Sequence, residues 1–269
     1  MASPSVISSS DAPASRFDSL KQEGRRALVC YITASHPDHE RSLELVQGLD
    51  AAGADVIEVG VPFSDPMADG PIIQGSSQRA LEGGATFDRT LDLIHRAAVR
   101  APVVLFTYLN PLLAAGEDAL ARAASAGASG VLVTDLPLGA DPAREEWIGS
   151  GPLAFVRLVA PTTPDDRMRE IGAHGRGFAY LISRTGVTGV REDIPPELPA
   201  TIARLRRATA LPICVGFGIS TTEHARAIGR LADGIVVGSA LVRHADTSIE
   251  GAIRFATILR GALDSITPD

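Results

Sequence analysis

The sequence lacks the residues and spacings that mark several classes of protein. Among its 269 residues there are only two cysteines, Cys30 and Cys214, and neither a CxxC nor an HxxxH spacing occurs. Both cysteines lie in apolar runs that resemble strands, so we expect two buried thiols rather than a disulfide, and no bound metal. No apolar run reaches the length of about 18 residues that a membrane-spanning helix needs.

Positive charge is also scarce. Lysine and arginine together number 25 against 32 acidic residues, which gives a net charge of -7 and a pI of about 5.4. Binding of nucleic acid or of an anionic membrane requires a basic face, so both kinds of partner are disfavoured. Any anion site must therefore be local, built from backbone N–H groups or from a single arginine.

Residues 1–15 are rich in serine, proline and alanine, which predicts a disordered tail. The first arginine is Arg16, so this segment lacks the basic residues typical of targeting peptides. We therefore expect a cytoplasmic protein, with targeting to an organelle through the Ser-rich start as the alternative. The hydrophobic content of 45% suffices for a large core, and α/β barrels commonly use about 250 residues, so residues 16–269 predict a single domain.

After the tail, short β-branched runs alternate with amphipathic stretches rich in alanine, leucine and arginine. The predicted strands span 28–33, 55–59, 103–108, 130–134, 154–159, 177–182, 211–215 and 234–237, and the predicted helices span 40–52, 87–98, 119–126, 142–150, 164–173, 196–207, 222–228 and 248–263. This alternation allows an open doubly wound sheet or a closed (β/α)8 barrel. The count of eight, and the absence of a GxGxxG turn after the first strand, favour the TIM barrel, whose chemistry lies at the carboxyl ends of its strands.

The segment IEVGVPFSDPMADGP, residues 57–71, carries acidic residues at such a strand end. Glu58 lies in the second predicted strand, and Asp65 and Asp69 follow in a loop stiffened by glycine and proline. Two carboxylates in different surroundings can acquire separated pKa values, which proton transfer requires. The alternatives are an ion pair with a basic residue for Glu58 and a simple turn role for Asp69.

Small residues end the last two strands, where barrels of this kind bind phosphate. Gly218 follows strand seven, and Gly238 and Ser239 follow strand eight, where a short helix would aim its N–H groups at an anion. Tight turns are the alternative. The sequence SRTGVTG at 183–189, after strand six, is long enough to close over a ligand as a lid. Asp135, before Leu-Pro, allows either a site role or a turn role.

Four segments in order, VIEVGVPFSDPMADGPIIQ, LISRTGVTG, VGFGIS and IVVGSALV, resemble the tryptophan synthase α subunit family over residues 27–242. The resemblance implies a (β/α)8 barrel that cleaves indole-3-glycerol phosphate to indole and glyceraldehyde 3-phosphate, with no cofactor. It also implies a partner, a β subunit carrying pyridoxal phosphate, in an α2β2 complex.

The resemblance implies roles by motif. Glu58 matches the acid–base glutamate, Asp69 the catalytic aspartate, and Asp65 a position that faces the β subunit. Tyr180 and Thr188 match an active-site tyrosine and a lid threonine, and Arg184 and Asp135 are further supporting candidates at strand ends. The phosphate-binding positions are Gly189, Gly218, Gly238 and Ser239, and the indole and glycerol pocket comprises Tyr31, Ile73, Phe106, Leu132 and Phe217.

Three positions depart from the family pattern. The family usually has Gly-Asp-Pro after strand one, whereas this chain has His36 in a Ser-His-Pro sequence. Cys30 stands where many members have proline, and Thr134 where a small apolar residue is common. These changes bear on the hydrogen bonds around the second loop and on the fit of the indole, not on the fold.

Three functions remain compatible with the sequence. The first is the lyase subunit of a tryptophan synthase, which passes indole to its β subunit in tryptophan biosynthesis. The second is a free-standing lyase that releases indole for specialised metabolism. The third is a catalytically weak homologue that acts as a binding or activating subunit, against which the presence of Glu58 and Asp69 argues.

Overall fold

The eight strands of the computed structural model form a closed barrel in which all neighbours are parallel and follow chain order, β8 pairing with β1. The structure describes residues 9–182, 195–216 and 218–266. The predicted (β/α)8 barrel is therefore confirmed. Each strand end lies within about two residues of its predicted position, the usual uncertainty of such boundaries. The strands are β1 (Ala27–Thr33), β2 (Val56–Gly60), β3 (Val103–Thr107), β4 (Ala128–Val133), β5 (Ala154–Val159), β6 (Ala179–Ile182), β7 (Ile213–Gly216) and β8 (Gly234–Val237).

Twelve α-helices lie within the described ranges, more than the eight that the alternating pattern predicted. They are α1 (Ala12–Gln22), α2 (His39–Ala51), α3 (Pro71–Glu82), α4 (Phe87–Ala97), α5 (Leu109–Ala115), α6 (Ala119–Ala126), α7 (Pro142–Gly149), α8 (Asp165–His174), α9 (Leu198–Ala208), α10 (Thr222–Gly229), α11 (Ser239–Thr247) and α12 (Ile249–Asp264). Helices α1, α3 and α5 were not predicted, because all three have proline near their starts, and α1 and α3 also contain serine or glycine, which resembles loop sequence. Helix α11 is the short helix expected after strand eight.

Helix α1 corrects the predicted extent of the N-terminal tail, since it begins at Ala12 rather than after residue 15. Its buried Phe17 and Leu20 pack into the same cluster as the inward-facing Val29 and Val56, and the Phe17 ring lies 5.4 Å from that of Phe178. Tertiary burial of this apolar face, rather than helix propensity, stabilises the segment. Residues 1–8 lie outside the described ranges.

A buried ion cluster fixes α1 and α12 at the amino end of β2. Asp55 immediately precedes the strand, and its carboxylate accepts hydrogen bonds from Arg16 of α1 at 2.5 Å and from Arg260 of α12 at 2.7 Å. The backbone N–H of Leu28 donates to the same carboxylate at 2.8 Å. The buried charges are thus paired and hydrogen-bonded, as their removal from water requires. This cluster stabilises the barrel at the end opposite to the predicted chemistry.

The pleat of β1 sends neighbouring side chains to opposite sides of the barrel wall. Val29 packs inside the barrel, whereas Cys30 packs between the strands and the surrounding helices. Cys214 lies in the interior cluster, and both cysteines are buried and free, as predicted. The register places Tyr31 directly beside Glu58 on the neighbouring strand β2, so both lie on the inner face.

None of the described helices is long and apolar enough to cross a membrane. Within the same ranges, no group of three or more His, Cys, Asp or Glu side chains is arranged to hold a metal ion.

Candidate active site

Glu58 is a carboxyl group without a polar partner among the described residues. Strand β2 holds it inside the barrel with 0% of its surface exposed, and neither of its oxygens has a described hydrogen-bond partner. Burial disfavours the charged form and raises the pKa of Glu58 to about 8. No described basic side chain pairs with Glu58, so the alternative role in an ion pair is not observed. At neutral pH the group is protonated and can act as an acid.

Asp69 is held by a tyrosine at the end of the neighbouring strand. The hydroxyl of Tyr108 donates to Oδ2 of Asp69 at 2.9 Å and accepts from the N–H of Ala68 at 3.0 Å. Desolvation raises the pKa of Asp69 to about 6, and the hydrogen bond from Tyr108 opposes that rise. Asp69 is therefore mainly ionised at neutral pH, while Glu58 is mainly neutral.

The loop that carries Asp69 is also fixed by α3. The side-chain amide of Gln74 donates to the backbone oxygen of Asp69 at 2.8 Å, and the N–H of Asp69 donates to the oxygen of Pro66 at 3.0 Å. Asp69 thus does occupy a turn, as the alternative interpretation had it. The turn directs its carboxylate to Tyr108, so the two interpretations are compatible.

Two tyrosines interact electrostatically with the carboxylates. Burial raises the pKa of the Tyr31 and Tyr180 phenols, and negative charge on Glu58 or Asp69 raises those pKa values further. The register of β1 and β2 also places Tyr31 directly beside Glu58. The grouping of Glu58, Asp69, Tyr31 and Tyr180 in one site stays a prediction.

Glycines at two strand ends make room for these rings. A Cβ atom at Gly60 would collide with the phenol of Tyr31, and one at Gly216 would collide with that of Tyr180. Both glycines are therefore required by close packing of the site, not by backbone conformation. Substitution of either would displace the neighbouring tyrosine ring.

The predicted pocket residues separate into two layers. Tyr31, Ile73 and Val242 form a small cluster at the rim, against which Phe106 packs, its ring centroid 5.1 Å from that of Tyr31 in an edge-to-face arrangement. Leu132 belongs instead to the fully buried interior cluster below. Val242 of α11 is a lining residue that the sequence analysis did not identify. Phe217 lies outside the described residues.

The first turn of α11 presents backbone donors at the same rim. Gly238 is its N-cap and Ser239 its first residue, and no side chain caps the helix start. A Cβ atom added at Gly238 would lie within ordinary contact distance of Tyr31. A helix start with free N–H groups attracts anions. Gly218, after β7, lies within the described residues, whereas Arg184, Thr188 and Gly189 lie outside them. The phosphate-binding roles stay predictions.

Asp135 and Asp65 have different surroundings from the central pair. Asp135 is exposed and accepts the N–H of Leu109 at 2.7 Å, which fixes the backbone next to Tyr108. Asp65 is exposed on the second loop, where Ser64 donates to it at 2.5 Å. Next to it Met67 is 86% exposed, beside an open groove lined by Phe63, Ser64, Asp65, Pro66, Met67, Pro71, Gln74, Gly75 and Gln78.

Tyr108 is the main functional candidate that the sequence analysis missed. It is the last residue of the predicted strand 103–108, but an aromatic residue at that position is indistinguishable from core. Its signal is positional, because the carboxyl end of β3 adjoins that of β2 and the loop bearing Asp69.

A closed parallel barrel that holds a neutral buried acid and an ionised acid is the arrangement of a (β/α)8-barrel enzyme suited to acid–base chemistry. The family model for the tryptophan synthase alpha chain matches residues 17–260. The chain belongs to the tryptophan synthase alpha chain family, as the sequence predicted.

Individual relatives are similar to this chain over most of its length. The tryptophan synthase alpha chain of Desulfatibacillum aliphaticivorans is 44% identical over 87% of this chain and 89% of its own length, and that of Synechococcus elongatus is 43% identical over 92% and 95%. Tryptophan synthase of Mycobacterium tuberculosis superposes with a TM-score of 0.86 at 33% identity, over 93% of this chain and 97% of the matched chain. Tryptophan synthase subunit alpha from Legionella pneumophila superposes with a TM-score of 0.86 at 33% identity, over 95% of this chain and 99% of the matched chain.

Replacement of Tyr108 by phenylalanine tests the hydrogen bond to Asp69. We expect the pKa of Asp69 to rise above about 6, by up to about one unit, because desolvation remains and the opposing donor is lost. The measurement is an NMR titration of the aspartate carboxyl carbons, with the Asp69 signal assigned from Asp69→Asn. Tyr31→Phe is the matched control, since its hydroxyl does not bond Asp69. An unchanged pKa in Tyr108→Phe would contradict the assignment.

Proposed function

We propose that this chain cleaves indole-3-glycerol phosphate to indole and glyceraldehyde 3-phosphate, the lyase step of tryptophan biosynthesis. The observation that carries the proposal is the dry, neutral Glu58 inside the barrel, at the rim that also holds Asp69 and the start of α11. Membership of the tryptophan synthase alpha chain family supports the reaction class. Retro-aldol cleavage of this kind proceeds by proton transfer, so it needs an acid and a base.

Glu58 serves both proton transfers in turn. As a neutral acid it donates its proton to indole C3, which converts the ring into a cationic leaving group. The resulting carboxylate takes the proton of the C3′ hydroxyl while the C3–C3′ bond breaks. The bonding electron pair returns to the ring, the aldehyde forms at C3′, and Glu58 regains its proton. A pKa of about 8 suits this exchange, because acid and base forms lie close in free energy near neutral pH.

Asp69 stabilises the charge that appears on the ring. Protonation of C3 places positive charge on the indole nitrogen, whose N–H then becomes a stronger donor. An ionised carboxylate that accepts this N–H lowers the energy of the intermediate, and a partly desolvated site strengthens the interaction. The hydrogen bond from Tyr108 favours the ionised form of Asp69 and fixes its direction.

The substrate phosphate lies at the start of α11 in this proposal. Gly238 and Ser239 supply backbone N–H groups, with Gly218 and Gly189 as further donors. Binding energy from a phosphate remote from the reacting bond is used to position the substrate. The rim cluster of Tyr31, Ile73, Phe106 and Val242 then holds the indole ring. Thr188 and Arg184 in the sixth loop retain their predicted supporting roles.

Conservative replacement of the two acids tests the assignment. We expect Glu58→Gln and Asp69→Asn each to lower turnover by roughly 10²–10⁴-fold, because each removes one proton-transfer or charge-stabilising group. Binding of glycerol 3-phosphate, measured by calorimetry, should persist in both. Asp118→Asn, at an exposed carboxylate near the start of α6, is the control and should retain the normal rate. Normal turnover in either acid variant would refute the proposed chemistry.

We further propose a tryptophan synthase β subunit as partner, in an α2β2 complex, with the second loop at the interface. Asp65 carries charge on that loop and Met67 offers exposed apolar surface beside the groove. Exposed apolar side chains next to polar ones are typical of protein–protein contacts. The cytoplasmic location stays a prediction.

Indole release by the purified chain, alone and with a tryptophan synthase β subunit, tests the partnership. We expect strong activation by the partner, and an Asp65→Asn variant that needs more β subunit for half-maximal activation while its unassisted rate is unchanged. High activity alone with no effect of the partner would favour the free-standing lyase. No turnover under either condition would leave the role of a binding or activating subunit.

A further inference from the structure

The site contains a buried histidine that none of the steps above uses. His36 lies in the loop after β1, has 2% of its side chain exposed, and contacts α11, one of the helices that line the rim. Its Nε2 lies 2.8 Å from Oδ1 of Asp246 on α11. The same carboxylate oxygen accepts a hydrogen bond from Arg79 of α3 at 2.7 Å. One carboxylate therefore joins three separate elements of the barrel.

The short contact indicates the form of the imidazole. A nitrogen 2.8 Å from a carboxylate oxygen is attracted to it only if the nitrogen carries the hydrogen, so we assign the proton to Nε2. Both ring nitrogens are buried: Nδ1 has no described hydrogen-bond partner, and Nε2 approaches Asp246 closely without meeting hydrogen-bond geometry. A second proton on Nδ1 would be a buried donor without an acceptor, which is costly. Desolvation accordingly lowers the pKa of His36, with Arg79 acting in the same direction and Asp246 against it.

Helix α11 connects the proposed phosphate site at its first turn with the His36 contact at its last turn. Its first turn, at Gly238 and Ser239, presents the backbone donors proposed for phosphate, and Asp246 lies in its last turn. An acidic side chain in the last turn of a helix opposes the helix dipole, so its presence there requires compensation by a donor. A helix of nine residues is a stiff rod of about 14 Å, so a contact at its last turn sets the direction of its first.

Helix α3 is held against the same loop by a second buried bond. Oγ1 of Thr33, at the end of β1, lies 2.7 Å from Oγ of Ser76, and Ser76 also donates to the backbone oxygen of Ile73 at 2.8 Å. Ile73 of α3 and Val242 of α11 face each other in the rim cluster. The Arg79–Asp246 pair between these helices is half exposed, with 50% and 37% of the side chains accessible, and contributes little alone. In the contact made by His36, the imidazole is only 2% exposed, so this side of Asp246 is shielded from water.

We propose that His36 is a positioning residue that acts through Asp246 to fix helix α11, and thereby the phosphate-binding donors at its start, against α3. It touches neither substrate nor the reacting atoms. Its effect is on the binding of the phosphate end of the ligand, because misplacement of positioning groups by about 1 Å can cost up to 100-fold in an active site. This inference rests on the proposed function only in assigning phosphate to the start of α11.

Variants that separate the donor from the ring test the role. His36→Leu keeps the bulk and removes the donor, whereas His36→Gln keeps an N–H donor of similar reach. We expect His36→Leu to weaken glycerol 3-phosphate binding and to raise KM for indole-3-glycerol phosphate by about tenfold each, the size of one lost polar contact to a carboxylate. The rate kcat should change by less than about twofold, and His36→Gln should restore both constants.

The chain supplies a matched control in a second histidine–aspartate pair. Nε2 of His39 lies 3.0 Å from Asp92, but this pair joins α2 and α4, which carry no part of the site. Asp92→Asn should leave KM and phosphate binding unchanged, whereas Asp246→Asn should reproduce the effect of His36→Leu. Asp246→Asn also tests the contact if His36→Leu fails to fold.

The outcomes distinguish this inference from the proposed function. Normal glycerol 3-phosphate binding in both His36→Leu and Asp246→Asn would overturn the positioning role alone. A fall in kcat with unchanged phosphate binding would also overturn it, because the defect would then lie in the chemistry. Failure of the unmodified chain to bind glycerol 3-phosphate would overturn the phosphate site itself, and the role of His36 with it.

Discussion

The desolvation of one carboxyl group governs the chemistry of this barrel. Alternation along β2 sends Glu58 into the closed interior, where no described side chain donates to it and water is excluded. The raised pKa means that the native protein keeps a proton that the unfolded chain releases above about pH 4.3. The free energy of unfolding therefore falls as the pH rises above about 4.3, and this loss is complete once the pH exceeds about 8. The buried carboxyl group thus lowers stability at neutral pH while it provides a proton donor there.

The second acid gains its distinct behaviour from a distinct environment. Asp69 is also partly desolvated, but it has a donor in Tyr108, so its pKa stays near 6 while that of Glu58 lies near 8. Two carboxyl groups at one rim thus hold different protonation states at the same pH, which divides acid–base work from charge stabilisation. The difference comes from the deeper burial of Glu58 and from the hydroxyl group of Tyr108 beside Asp69.

Much of the fold and part of the site follow from local sequence pattern. Alternating strands and helices predicted the barrel, and the long motif around Glu58 and Asp69 predicted the position of both acids. Helix α3 escaped detection because Pro71, Gly75 and two serines resemble a loop, and its helical form depends on packing against the barrel. Propensity is a weak guide where tertiary contacts decide.

Pairings between distant segments could not be predicted in the same way. The partner of Asp55 in α12 is 205 positions away, and Asp246 is remote from both His36 and Arg79. Tyr108 was visible as a strand-end aromatic, but only the register of β2 and β3 shows that it meets the loop of Asp69. Such contacts depend on barrel closure, which no local pattern encodes.

The protonation state of Glu58 in the resting protein is the most direct test of this account. Difference infrared spectroscopy of the unmodified chain against Glu58→Gln, from about pH 5 to about pH 10, isolates its carboxyl signal. The account predicts a neutral carboxyl at pH 7 that ionises near pH 8. A carboxylate already ionised at pH 7, with a midpoint near the ordinary value of about 4.3, would contradict it.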